Sequence, residues 1–255
     1  MTPQRLAYAF FMVLSFAVFL AAYRQMPKPA GLFALPRWKR LVLTLAGFLG
    51  GSLAAKLPFT WADAGAWLAD GKTITTGLVG AYLGVELAKL ALGVHVKTGD
   101  AYALPLALAL AVGRWGCYFN GCCAGVATSA PWGVDFGDGV RRHPTQVYES
   151  LFHLSMAVVL WEVLRRGRFR FQRLKLYLIA YGAYRFLTEF IRPEPAWWLG
   201  LTYYQWVALV LIAGLAVQWQ FDRRLARGLP ELNKGVGSKV HPPGMTTTGT
   251  PILFT

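Results

Sequence analysis

The chain has 255 residues, of which 55% are hydrophobic and only 15% charged. Soluble domains carry about a quarter charged residues, so this composition excludes an ordinary water-soluble globular protein. The formal net charge of +14 does not mark a nucleic-acid binder: the basic residues sit in short segments between apolar blocks, where membrane topology puts them, and the generic partner they imply is anionic membrane lipid.

Taken in chain order, residues 6–23, 41–59, 77–94, 101–119, 146–164, 174–191 and 203–221 are apolar stretches that approach the roughly 20 residues needed to cross a bilayer. The fold class they predict is all-α: a polytopic integral membrane protein of about seven transmembrane helices. Arg24, Lys28, Arg37, Lys39 and Arg40 follow the first stretch, and Arg165, Arg166, Arg168, Arg170, Arg173 and Lys175 follow the fifth. Arg223, Arg224 and Arg227 follow the seventh, whereas the other connections mix signs, as with Asp63, Asp70 and Lys72 or Asp135, Asp138, Arg141 and Arg142. Cytoplasmic loops hold the positive excess, which places the N-terminus outside and the C-terminus in the cytoplasm. The heavier positive flank of the first stretch comes after it, as suits an N-out span rather than a cleaved signal peptide. The expected organisation is one transmembrane domain over 1–227 and a flexible cytoplasmic tail over 228–255, rich in Gly, Pro and Thr.

Ionisable residues inside a span cost several kcal/mol unless they are paired or face a polar cavity. The candidates here are Lys56, Glu86, Lys89, Arg114, Arg185 and Glu189. Glu86 and Lys89 lie three apart and should pair on one helix face. The spans holding Lys56, Arg114, Arg185 and Glu189 run in the same direction, with these charges toward their C-terminal ends. All four therefore share the outer half of the membrane. One reading is an internal ion-pair network with Glu189 and Glu149. The other is a cavity for an anion entering from the outer leaflet, for which an arginine fork suits a phosphate.

Three segments approach this depth from outside. "DGKTITTGLVG" (70–80) has glycines that permit close backbone approach. "GRWGCYFNGCCAG" (113–125) holds all the cysteines, Cys117, Cys122 and Cys123. Their spacing is not a usual zinc pattern, and no metal or cofactor is expected; His143 is the one residue placed to add a fourth ligand. A thiolate beside Arg114 and simple packing are both open readings. In "RRHPTQVYE" (141–149), Pro144 fits a helix start, with Thr145 and Gln146 able to satisfy nearby backbone groups.

With these motifs in hand, the chain resembles the bacterial prolipoprotein diacylglyceryl transferase family through most of its membrane domain. Tyr8 resembles an early family tyrosine. "GRWGCYFNG" matches the family's signature at Arg114, Gly116, Asn120 and Gly121, and "RHPTQVYE" is similar to an Arg-His-Pro-Ser-Gln-Leu-Tyr-Glu segment. "YGAYRFLTEFIRPEP" matches the sixth-span motif at Tyr181, Gly182, Arg185, Glu189 and Arg192. The chain departs at Thr75, where the family usually has a histidine, at Cys117 (usually Asn) and at Cys122 (usually Glu).

The resemblance implies transfer of diacylglycerol from phosphatidylglycerol to the lipobox cysteine of a prolipoprotein, with release of glycerol 1-phosphate. It also implies a bacterial cytoplasmic (inner) membrane location and the prolipoprotein signal peptide as partner. Arg114, Arg185, Cys117 and Asn120 are then the candidate catalytic residues. Tyr8, Lys56, Thr75, Gly116, Gly121, His143, Gln146, Tyr148, Glu149, Tyr181 and Glu189 are candidates for substrate binding. Two other classes remain open: a non-catalytic protein that binds an anionic phospholipid, and a thiol-redox membrane protein.

Overall fold

The computed structural model describes residues 2–60 and 73–228. Asp63, Asp70, Lys72 and the tail from residue 229 lie outside the described residues. Each of the seven predicted stretches forms a helix: α1 (Pro3–Gln25), α3 (Arg37–Thr60), α4 (Ile74–Leu92), α5 (Asp100–Phe119), α6 (Thr145–Arg165), α7 (Arg173–Thr188) and α8 (Tyr203–Gly228), with a short α2 (Ala30–Ala34) between the first two. A 3-10 turn, Glu189–Ile191, continues α7, and two small antiparallel pairs lie in the connections: β1 (Val134–Asp135) with β2 (Arg141–Arg142), and β3 (Ala196–Trp198) with β4 (Leu201–Thr202).

Among the described residues four helices, α1, α4, α6 and α8, are long and apolar enough to cross a membrane. Their outer faces present large apolar side chains such as Phe10, Phe16, Leu87, Val158 and Val210, an arrangement that water would penalise and a bilayer rewards. This is a membrane protein. Helix α5 carries Asp100 and Arg114 and is packed between α1, α6 and α7; a helix shielded by its neighbours can hold polar side chains that a lipid-facing one cannot. Helix α7 is shorter, at 16 residues.

The described residues divide into one compact unit that ends at Ala216 and a second that begins at Val217. In the first, Ala101, Leu104 and Ala107 of α5 pack with Ala157 and Leu160 of α6 and with Tyr177 and Leu178 of α7. That apolar core occupies the N-terminal half of α5, so the other half is left for polar groups. Asp100, at the start of α5, accepts from the Phe171 and Arg173 amides at 2.6 and 3.0 Å, tying down the basic connection before α7. Helices α3 and α4 approach by small residues: a Cβ added to Gly80 would stand 2.2 Å from Ala54 Cβ and 2.3 Å from the Gly50 carbonyl oxygen, an approach typical of helix pairs in lipid. The expected Glu86–Lys89 pair forms on α4, at 2.7 Å.

Candidate functional site

The connection between α5 and α6 folds back over the helix ends and is stitched down by backbone hydrogen bonds. The Gly125 amide donates to the His143 carbonyl at 2.8 Å, the Val126 amide to Ile191 at 2.9 Å, and the Thr128 amide to Arg141 at 2.8 Å. Gly125 permits this closeness, since a Cβ there would lie 2.5 Å from the Ile191 oxygen. On the first turn of α6, the Thr145 hydroxyl donates to the Cys123 carbonyl at 2.6 Å and Gln146 Nε2 to the Cys122 carbonyl at 2.7 Å. Thr145 and Gln146 thus do what their position after Pro144 predicts. These ties bring the ends of α5, α6 and α7 and the 3-10 turn to one place.

Glu149 stands at the centre and is completely buried. Its carboxylate pairs with Arg114 Nη2, accepts from Arg192 Nη2 at 2.9 Å and from the Tyr181 hydroxyl at 2.9 Å. Arg185 Nη2 pairs with Glu189 at 3.0 Å, and its Nε donates to the Thr75 hydroxyl at 3.2 Å. The guanidinium also lies 5.4 Å from the centre of the Tyr204 ring. The β3–β4 hairpin sets Thr202 to donate to Glu189 at 3.3 Å. The ion-pair network anticipated for Glu189 and Glu149 is therefore present, and it is built around both carboxylates.

That network does not exhaust the arginines. Among the described residues three guanidiniums, Arg114, Arg185 and Arg192, share two carboxylates, Glu149 and Glu189. Arg114 Nε, Arg185 Nη1 and Arg192 Nε are buried without a hydrogen-bond partner among the described residues. A buried charged donor left unpaired costs on the order of 1–3 kcal/mol or more. Such a cost is recovered when an anion with several acceptor oxygens docks against the arginines.

The cysteines are free thiols, with Cys117 and Cys122 half-buried and Cys123 exposed. Their sulfurs all lie within 4.8 Å of one another. Arg114 Nη1 reaches Cys117 Sγ at 3.7 Å, so one arginine touches both Glu149 and the thiols. Hydrogen bonds from the Cys117 and Cys122 thiols, helped by the charges of Arg114 and Arg192, hold Cys123 below the usual thiol range. Farther out, hydrogen bonds from Arg142 hold the exposed Asp138 carboxyl below its usual value.

The remaining candidates lie around this cluster. Gly116 is buried where α5 crosses α1: a Cβ there would be 3.1 Å from Phe11 Cβ and 3.3 Å from the Tyr8 carbonyl oxygen. Tyr8 is half-buried on α1, and Lys56 is half-buried near the end of α3. Asn120 caps α5 and, with Gly121 (φ +68), lines a cleft of about 260 Å³ beside Phe136. A second cleft of about 340 Å³ opens on the other side of Gly121 and Phe136, along Asp138 and Arg142. His143 and Tyr148 pair with one another, Nδ1 to hydroxyl at 3.2 Å, rather than with the arginines. Site residues that the sequence reading left out are His153 and Tyr177, while Arg192 entered it only as a motif match. His153 is fully buried one turn after Glu149, 3.8 Å from its carboxylate, and its Nδ1 meets the Tyr177 hydroxyl at 2.9 Å. For His153 the signal was the spacing of Gln146, Glu149 and His153, a polar stripe at helical period on an otherwise apolar helix.

Comparison with known proteins adds an independent finding. The family model described as prolipoprotein diacylglyceryl transferase matches residues 5–220. The chain is similar to proteins named phosphatidylglycerol--prolipoprotein diacylglyceryl transferase from Cupriavidus necator, 36% identical over 58% of this chain and 60% of the relative, and from Finegoldia magna, 33% identical over 52% and 54%. A further relative, phosphatidylglycerol--prolipoprotein diacylglyceryl transferase 2 of Streptomyces coelicolor, is 34% identical over 55% of this chain and 47% of its own length. The matched region thus spans about half to three fifths of these curated relatives.

Proposed function

The chain belongs to the prolipoprotein diacylglyceryl transferase family, and on that footing we propose that it moves diacylglycerol from phosphatidylglycerol to the cysteine thiol of a prolipoprotein lipobox. The observation that carries this reading is the excess of guanidinium around Glu149. Arg114, Arg185 and Arg192 come from three elements, and each keeps one buried nitrogen without a hydrogen-bond partner among the described residues. Their unused donors suit the phosphate of an anionic lipid, where charge concentrates as the bond to the glycerol carbon breaks. Glu149 and Glu189 orient the arginines, and Tyr181 and Thr75 fix one partner of each pair. The sulfur–carbon bond forms as the carbon–oxygen bond breaks, glycerol 1-phosphate leaves, and the thiol proton must be taken up along the way. Thr75 has no basic nitrogen to receive it.

In this reading all seven long helices span a bacterial cytoplasmic membrane, N-out and C-in, with residues 228–255 as a cytoplasmic tail. The arginines lie in the outer half, within reach of the outer leaflet and of a prolipoprotein signal peptide. Asn120, Gly121, His143 and Tyr148 line the approach rather than the reacting centre, with Tyr8 and Lys56 on neighbouring helices. A second reading, binding of an anionic phospholipid without transfer, is favoured by the threonine at position 75. Purified protein given phosphatidylglycerol and a lipobox peptide decides between them: release of glycerol phosphate that needs the peptide cysteine is expected for the transferase, and lipid binding without release would replace it by the second reading.

A further inference from the structure

The three cysteines touch the ion-pair network only at its edge, through Arg114, yet the fold goes to some length to gather them. Helix α5 ends at Phe119, and Gly121 and Cys123 both adopt the left-handed region, φ +68 and +66. For a non-glycine residue such as Cys123 this is a costly conformation, found where surrounding structure imposes it. The imposing groups are visible: the completely buried Thr145 and Gln146 hold the carbonyls of Cys123 and Cys122, and the Cys122 amide donates to the Cys117 carbonyl at 3.2 Å. The turn is thereby wound back until all three sulfurs stand within 4.8 Å.

We propose that Cys117, Cys122 and Cys123 form a three-thiolate site for one thiophilic cation of the zinc class, whose open fourth position takes the substrate's cysteine thiol. This deepens the transferase reading and rests on it. Sulfurs bound to one ion at about 2.3 Å lie roughly 4 Å apart, so the observed cluster needs only a small contraction. His143 is engaged with Tyr148 and is not the fourth ligand. Three protein ligands with one vacant position is the pattern of a catalytic zinc site, whereas structural sites are closed by four. The spacing in sequence argued against a metal; the left-handed turn is what supplies the geometry.

The chemistry balances. A thiol that coordinates the cation is deprotonated outright, releasing its proton to solvent. The metal-held thiolate attacks the glycerol carbon, the carbon–oxygen bond to phosphate breaks with its electron pair, and glycerol 1-phosphate leaves. The cation keeps its charge throughout. Coordination thus performs the deprotonation for which Thr75 offers no base. Arg114, 3.7 Å from Cys117 Sγ and paired with Glu149, sets the thiolate cluster directly beside the arginines that would hold the phosphate.

The test uses the full chain in detergent, stripped with a chelator under reductant and titrated with Cd(II), then in parallel with Co(II). Expected are one ion per chain, read by the thiolate-to-metal charge-transfer band, and at least a tenfold loss of affinity in each of Cys117→Ser, Cys122→Ser and Cys123→Ser with thermal unfolding little changed. The Co(II) spectrum should gain a thiolate ligand on adding a lipobox peptide, and not on adding its serine analogue. No stoichiometric binding, binding that survives the serine variants, or a spectrum blind to the peptide thiol would each overturn the proposal. Glycerol phosphate release by chelator-stripped protein would overturn it while leaving the transferase reading intact; metal and thiol binding with no release under any condition would remove the transferase reading instead.

Discussion

Arg185 on α7 donates its Nε to the hydroxyl of Thr75 at the start of α4, 3.2 Å away, and both side chains are buried. This bond ties α4 to the arginine cluster, and it fixes the guanidinium so that Nη2 meets Glu189 while Nη1 has no hydrogen-bond partner among the described residues. Thr75 is therefore a positioning residue in this chain, occupied as an acceptor.

Removing that acceptor while keeping the shape tests the relationship. Thr75→Val leaves Arg185 Nε unsatisfied, and a lost hydrogen bond to a charged group is worth about 1.5–3 kcal/mol. Transfer, or lipid affinity, should fall about ten- to a hundredfold, whereas Thr75→Ser should stay within a few fold of the parent. Equal loss in both variants would show that the methyl packing of Thr75 matters and its hydroxyl does not.

Replacing Arg114 or Arg185 by lysine keeps the charge and discards the planar fork. A drop of about tenfold or more in turnover or lipid binding is expected for each, from one lost charge-assisted contact. Parent-like kinetics in both lysine variants would mean that the arginines serve only their ion pairs with Glu149 and Glu189.

The small-residue seam between α3 and α4 predicts a steep stability effect. Gly80→Ala would push a methyl to 2.2 Å from Ala54 Cβ, with backbone of Gly50 equally close, so the helices must separate and forfeit packing. Its melting temperature in detergent should fall by several degrees, as a loss of about 1–3 kcal/mol implies. Gly214→Ala, where an added Cβ meets nothing within 4 Å, is the control and should be neutral or slightly stabilising. Similar melting of the two variants would argue that α3 and α4 do not pack this closely.

Orientation is open to direct test. The basic connections after α1 and α6 and the arginines at the end of α8 should face the cytoplasm, so a reporter fused after residue 228 should be protected in intact cells. One fused before α1 should be accessible. An accessible C-terminal reporter would invert the topology and move the arginine cluster to the inner half of the membrane.

Much of this was legible in the sequence because lipid makes demands that leave marks. Every long apolar stretch became a helix, and charges placed inside such stretches, Arg114, Arg185 and Glu189, came together in buried ion pairs. Less legible was what depends on chain reversal. Glu149, one turn into α6, is expected from the sequence to join an ion-pair network, but not to be its centre, where the stitched connection buries it among three arginine and tyrosine donors from other elements. Arg192 lies beyond α7 and entered the sequence reading only as a motif match without a role, but the 3-10 turn returns it to Glu149. Asn120, conversely, stands in a matching motif position, and the helix end leaves it exposed at a cleft.

Glu149 is where these threads meet, and its substitution gives the sharpest outcome. Glu149→Gln preserves shape and the possibility of a bond from Tyr181, but it deprives Arg114 and Arg192 of their shared counter-charge. Breaking a buried pair from one side costs about 3–5 kcal/mol, because the partner charge stays buried and unpaired. The variant should therefore melt well below the parent in detergent without lipid. An anionic ligand can replace the missing carboxylate, so phosphatidylglycerol should raise the variant's melting temperature more than the parent's, and a zwitterionic lipid should not. Transfer should still be strongly reduced, since a phosphate held against disoriented arginines is held in the wrong place. A variant as stable as the parent, with the same response to both lipids, would mean that Glu149 carries no charge that the arginines need.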